Sequence, residues 1–162
     1  MDFASLAGID TLDANLAALP DRIARALAAK ASVLAHDLVD RVHNDKLAGS
    51  ALNARSGALA ASIDATVTVD ETGVVASVGS FGDVKYAAIQ EYGGKTAAHD
   101  IVASGAKVLA FVEGGAEHFA RVVHHPGSQI PARSYLRASL DEMSAEIVDA
   151  LSATPIEAWG GA

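Results

Sequence analysis

The hydrophobic pattern of the chain changes its period twice, and this change limits the possible fold more than any other feature. Over residues 12–42 apolar side chains recur every three or four positions, which is typical of one face of a helix. Over residues 63–78 apolar and polar residues alternate, as they do in a strand with one buried face. A helical stripe returns over residues 136–151. Helices that bracket strands predict an α+β domain.

The breaks in this pattern predict the individual elements. Pro20 interrupts the first stripe, so we expect a short segment before it and a long helix from there to about residue 46. The elements expected after it are a helical turn at 58–63, a hairpin of 63–70 and 74–78, a short helix at 84–92 that ends at Gly93-Gly94, a hairpin of 107–112 and 118–124, and a helix from about 133 to 151 that Pro155 ends. The expected architecture is an antiparallel sheet of about four strands packed on a long N-terminal helix and a C-terminal helix.

A chain of 162 residues suits one domain with short appendages. We expect a partly helical N-terminal arm at residues 1–19, a single α+β domain at 20–152 and a flexible tail at 153–162. No window approaches the ~20 apolar residues that cross a bilayer, and the acidic N-terminus does not resemble a secretory signal. The sequence therefore predicts a protein without a membrane partner.

Composition excludes several functional classes. The chain has no cysteine, which excludes a disulfide scaffold, a zinc finger and thiol catalysis. Its formal charge of −8 opposes binding of DNA over the whole surface, because phosphate binding needs a positive potential. The arginines of the C-terminal third are too few for a nucleic-acid site; Arg133 and Arg137, four residues apart, are expected on one helical face.

The motifs of common catalytic and cofactor sites are also missing from the sequence. There is no nucleophile elbow, no phosphate-binding loop, no dinucleotide fingerprint and no HExxH. The six histidines lack the spacing of a helical zinc site and are expected at surfaces or interfaces. We therefore expect that the protein is not an enzyme and that it binds no cofactor and no metal. The alternative, an enzyme whose carboxylates or histidines meet only on folding, stays open at this point.

Two segments serve neither the predicted core nor catalysis. KYAAIQEYGGK and HHPGSQIPARSYLRASLDEM mix tyrosine, arginine and turn residues, a composition typical of subunit contacts. The residues expected at subunit interfaces are Tyr86, Glu91, Tyr92, Gly93, His125, Pro126, Gly127, Pro131, Arg133, Tyr135 and Arg137. The aliphatic residues Leu27, Leu34 and Leu38 of the first helix are expected in the core instead.

The same segments carry a family resemblance. Tyr86-Ala87, Glu91-Tyr92-Gly93, His125-Pro126-Gly127, Pro131-Ala132-Arg133 and Tyr135-Leu136-Arg137 follow one another in the order found in the neck and tail-completion proteins of tailed bacteriophages. Arg55-Ser56-Gly57, Leu59 and Ser62-Ile63 resemble a further element that follows a long N-terminal helix in that family. The resemblance covers roughly residues 20–152. Its elements are short, and their order and spacing carry it.

The resemblance implies a structural virion protein without catalytic activity. Such a protein lies at the head–tail junction of a phage, a prophage particle or a phage-derived particle, after assembly in the host cytoplasm. The implied state is a homo-oligomeric ring, expected to be a hexamer, that contacts other neck, head-closure and tail-tube proteins. DNA is then only cargo that passes through the channel. The alternatives are a tail-terminator-like protein that caps the tail tube and a morphogenesis factor absent from the finished virion.

Overall fold

The computed structural model of the chain describes residues 9–49, 52, 57–105 and 107–160. Three parts of the predictions lie outside the described residues: residues 1–8 of the N-terminal segment expected at 1–19, Arg55 and Ser56 of the family resemblance, and residues 161 and 162 of the expected tail. The chain forms two compact units, which we call the helical unit (residues 1–87 and 134–162) and the arm unit (residues 88–133). The expected domain limits at residues 20 and 152 fall inside helices and do not coincide with these units.

The first helix, α1, covers Ile9–Arg41 and continues through Pro20. The expected interruption at Pro20 is therefore wrong. Proline removes one backbone hydrogen bond, but Leu19 and Arg22, on either side of it, lie beside Trp159 near the end of the last long helix. Arg22 strengthens this contact, because its Nη2 donates a hydrogen bond of 2.7 Å to the carbonyl oxygen of Ala158. A π-helical turn over Val42–Lys46 follows α1.

The last long helix covers Leu136–Gly160, so both its predicted ends are wrong. It continues through Pro155, and residues 153–160 are helical where a loose tail was expected. It begins after Arg133, which therefore does not share a helical face with Arg137. This helix runs antiparallel to α1, as the ion pairs Arg41–Glu146 and Lys46–Glu142 show at 3.8 and 2.6 Å.

The core of the helical unit lies where these two helices meet the first hairpin. Val42 and Met143 are both 0% exposed, and Tyr135 is 1% exposed. Burial of side chains of this size contributes roughly 1.5–3 kcal/mol each. The rest of the core cluster consists of Leu38, Leu47, Leu52 and Ile63. Leu34 and Leu38 are buried as expected, whereas Leu27 is only half-buried.

The first hairpin follows the prediction closely. After the short helix α2 at Ala58–Ser62, strand β1 covers Ile63–Asp70 and pairs antiparallel with β2 at Gly73–Ser80. The turn is closed by Asp70, whose carboxylate accepts hydrogen bonds from the hydroxyl and backbone N–H of Thr72 and from the N–H of Gly73. The Thr72 hydroxyl, followed by the backbone N–H groups, holds the pKa of Asp70 below its ordinary value.

The arm unit is a long two-stranded ribbon that follows helix α3 at Ala87–Tyr92. Its strands pair antiparallel in three nested pairs, so the chain runs out to a turn at Gly114-Gly115 and returns beside itself. The strands are β3 at Gly94–Lys95, β4 at His99–Val102, β5 at Leu109–Glu113, β6 at Ala116–Ala120, β7 at Val122–His125 and β8 at Gln129–Ile130. We call residues 94–130 the β arm, and we number the final helix, Leu136–Gly160, α4.

The α+β class with antiparallel strands and two long helices is confirmed. The second hairpin, expected over 107–112 and 118–124, corresponds to β5 and β6, but residues 122–124 of the expected return strand belong to β7, which pairs with β4 instead. In the described part of the chain the strands form four two-stranded sheets. The sequence pattern did not predict β3, β4 or β8, because strands of two to four residues are too short to establish a period.

The buried position of Leu34 generates a stability prediction. Leu34→Ala is expected to lower the free energy of unfolding by about 2–5 kcal/mol, because it removes apolar contacts and leaves a cavity. The matched control is Leu12→Ala, since Leu12 lies on the same helix but is exposed; its effect should stay within about 0.5 kcal/mol. Urea denaturation followed by circular dichroism measures both. Equal effects of the two substitutions would contradict the assignment of the core.

Candidate subunit interface

The Glu91-Tyr92-Gly93 motif lies where α3 ends and meets residues 130–133. Gly93 has φ +71°, and its N–H donates a 3.0 Å hydrogen bond to the carbonyl oxygen of Ile89, which ends the helix. A Cβ at Gly93 would lie 2.6 Å from the backbone nitrogen of Ala132. The N–H of Arg133 also bonds to the carbonyl oxygen of Gln90 at 2.8 Å. Glycine is therefore required here by a close approach of two backbone segments.

The His125-Pro126-Gly127 motif closes the base of the β arm in the same way. Gly127 has φ +87°, and a Cβ there would collide with the carbonyl oxygen of Thr96. Two hydrogen bonds join the segments: Thr96 N–H donates to the Ser128 carbonyl at 2.9 Å, and Ser128 N–H donates to the Thr96 hydroxyl at 2.7 Å. Both glycine motifs thus hold the two ends of the arm together.

The histidines of the β arm have structural contacts. His99 and His125 are directly opposite on β4 and β7, with ring centroids 5.2 Å apart. Nδ1 of His125 accepts a 3.0 Å bond from Gly127 N–H, which helps to fix the turn. On the other face of the β4–β7 pair, Nδ1 of His124 lies 2.8 Å from Oδ1 of Asp100.

The two histidines of the helical unit also bond to backbone. Nδ1 of His36 donates to the carbonyl oxygen of Ser32 at 2.7 Å, and Nε2 of His43 donates to that of Ala60 at 2.9 Å. Over the described ranges, no group of three or more histidine and carboxylate side chains has the arrangement of a metal site. No helix in those ranges is long and apolar enough to cross a membrane.

The eleven expected interface residues separate by exposure into three groups: buried, half-buried and exposed. Glu91, 3% exposed, and Tyr135 are buried within the chain, and Tyr135 donates a 3.3 Å bond to the carbonyl oxygen of Ala87. These two side chains are not available at the surface, so we leave them out of the interface. Gly93, His125 and Gly127 are half-buried. The exposed members are Tyr86, Tyr92, Pro126, Pro131, Arg133 and Arg137.

A set of exposed apolar residues on the β arm was missed by the sequence reasoning. Val112 is 69% exposed and Phe119 is 65% exposed, and Val102 and Val122 are also exposed. The only buried residue among the described positions of the arm unit is Glu91. A signal was present: the run at residues 108–112 is apolar at successive positions, which places apolar side chains on both faces of a two-stranded ribbon.

Three grooves on the helical unit are lined mainly by apolar side chains. One, of about 420 Å³, lies between α1 and the end of the first hairpin and includes Leu19, Ile23, Leu27, Val69 and Val74; we call it the α1–hairpin groove. The others, of about 300 and 150 Å³, lie along α1 and α4. None of the three brings two carboxylates or a histidine together, so they do not resemble an acid–base site.

The tight base of the arm generates a prediction. Gly127→Ala is expected to speed hydrogen exchange at the amides of Thr96 and Ser128, because the new methyl group forces the two segments apart. Gly114→Ala is the matched control: Gly114 also has positive φ, +62°, but nothing lies within 4 Å of its Cβ position. The control substitution adds only the backbone strain of an alanine at positive φ, which costs roughly 1–2 kcal/mol. Equal exchange at the base in both variants would show that the close approach does not hold the arm.

Comparison of the chain with known protein families, with curated proteins and with solved structures finds no match. The resemblance to phage neck and tail-completion proteins therefore stays a prediction that rests on the motifs alone.

Proposed function

We propose that the chain is a structural protein of the head–tail junction of a tailed phage or a phage-derived particle, where it forms a ring that completes the tail or joins it to the filled head. The observation that supports this best is the order of the five motifs over residues 86–137. Two of these motifs, Glu91-Tyr92-Gly93 and His125-Pro126-Gly127, fix the base of the β arm.

The surface of the arm also supports an assembly role. A two-stranded ribbon is marginally stable alone in water, and this one keeps several large apolar side chains exposed. Among the described residues each of its strands pairs on one side only, and open strand edges invite pairing with another chain. Both features are expected of an element that a neighbouring subunit covers in the finished particle. Neither feature is needed by an enzyme that acts as a free monomer.

The charge of the chain is consistent with passage of DNA through such a ring. A formal charge of −8 per subunit gives about −48 for a hexamer, so phosphates would be repelled rather than held. DNA is cargo in this proposal, and the binding partners are the neck, head-closure and tail-tube proteins of the particle.

The location is tested by cryo-electron microscopy of intact particles together with mass spectrometry of their proteins. We expect peptides of the chain in purified particles and a closed ring at the head–tail junction. Peptides missing from the particles would favour a morphogenesis factor, and density at the end of the tail tube alone would favour a terminator.

The same particles test the exposed motif residues. Tyr92→Ala and Arg137→Ala should lower particle yield while the purified chain stays folded, because both residues are exposed. Thr66→Ala, at an exposed position on the first hairpin, is the control.

The acidic charge predicts how the purified protein associates. Like-charge repulsion opposes ring closure, so the isolated chain should be monomeric or weakly associated at low salt and should associate more at high salt. Light scattering across a series of sodium chloride concentrations measures this. A tight dimer whose formation does not depend on salt would contradict the ring, because a two-fold contact occupies surface that head-to-tail closure needs.

A further inference from the structure

The exposed apolar face of the β arm is the starting point. Ala110 pairs with Phe119, and Val112 pairs with Glu117, so these four side chains lie on one face of the β5–β6 hairpin. All four are exposed, and Glu117 is the only charged residue among them. We call this set the arm face. Large exposed apolar side chains that lie together mark an interaction site.

The helical unit offers an apolar surface of matching character. The α1–hairpin groove is lined by aliphatic side chains, and Asp70 is the only ionisable residue in its lining. Val69 in this groove is exposed although it continues the inward-facing row of β1. Leu27 is half-buried although it continues the buried stripe of α1. Both elements therefore carry apolar residues here that are not fully covered.

The distribution of charge selects which surfaces of two copies can meet. The arm unit contains four acidic and four basic residues, so its formal charge is zero and the rest of the chain carries the whole −8. Two helical units in contact would bring two strongly acidic surfaces together, which is unfavourable. Contact between the arm unit of one copy and the helical unit of another avoids this repulsion. The residues counted in the arm unit are Glu91, Asp100, Glu113, Glu117, Lys95, Lys107, Arg121 and Arg133.

We propose that the arm face of one copy, through Val112 and Phe119, packs into the α1–hairpin groove of a second copy. The contact joins two different surfaces, so in a head-to-tail arrangement it is heterologous and repeats from copy to copy, and it gives a ring when the rotation between copies closes. This deepens the proposed function by naming the surfaces of its ring, but it concerns the purified chain and is tested without a particle.

The test uses the absence of native cysteine. Two single-cysteine variants are made, Val112→Cys on the arm face and Val69→Cys in the groove, with an affinity tag on one of them. They are mixed at high protein concentration and high salt and treated with a short bis-maleimide. We expect a mixed dimer that contains one tagged and one untagged chain. The control replaces Val69→Cys by Val148→Cys, the same substitution at an exposed position of α4.

Each outcome supports or overturns the contact. About tenfold more mixed dimer with Val69→Cys than with Val148→Cys supports it, and Phe119→Asp added to the Val112→Cys chain should remove that excess while circular dichroism stays unchanged. Equal yields overturn it, as does a predominance of Val112–Val112 products, which would mean that arms pair with each other. A Val69→Cys/Val112→Cys double variant that crosslinks only within one chain also overturns it.

The failures of the two proposals can be told apart. If the particle contains a ring but the purified variants give no mixed dimer, the proposed contact is contradicted and the proposed function still holds. If the variants give the mixed dimer but the particle contains no ring of this chain, the proposed function is contradicted and the proposed contact still holds.

Discussion

The antiparallel packing of α1 against α4 is the interaction on which the rest of the helical unit depends. It joins positions as far apart in the sequence as Arg22 and Ala158, and it buries Val42 and Met143 completely. The β1–β2 hairpin could not persist as an isolated ribbon, and it is stabilised because its inward row rests on α1. The loss of one backbone hydrogen bond at Pro20 and one at Pro155 is tolerated because each proline lies in a helix held by its neighbour.

The arm unit is held together by a different kind of interaction. It buries no apolar side chain among its described residues, and its base is closed by backbone hydrogen bonds and by two glycines that allow segments to touch. Such bonds contribute only about 0.5–1.5 kcal/mol each. The arm is therefore the less stable part of the chain when no partner covers it, whereas the helical unit carries its own hydrophobic core.

The elements that depend on a local sequence pattern were predicted correctly from the sequence. The elements whose limits depend on tertiary packing were not. The alternation in residues 63–70 and the glycine after Tyr92 defined the first hairpin and the end of α3 correctly. The breaks expected at Pro20 and Pro155 were wrong, because propensity does not include the packing that holds a helix through a proline. Tyr135 looked like an interface residue by composition, but its hydroxyl bonds to Ala87 and its ring lies in the core. The arm face was not predicted, because the exposure of Phe119 depends on whether another part of the fold packs over it. The sequence pattern of a strand does not contain that information.

The nested pairing of the β arm has a consequence for how proteins of this architecture can diverge. The two ends of the β arm meet at the pair Gly94–Ile130, so the whole β arm leaves and rejoins the rest of the chain at one point. Residues added in facing pairs near Gly114-Gly115 would lengthen the β arm and leave that junction unchanged. The length of the β arm can thus change by insertion or deletion at its tip while the strand register at its base stays the same.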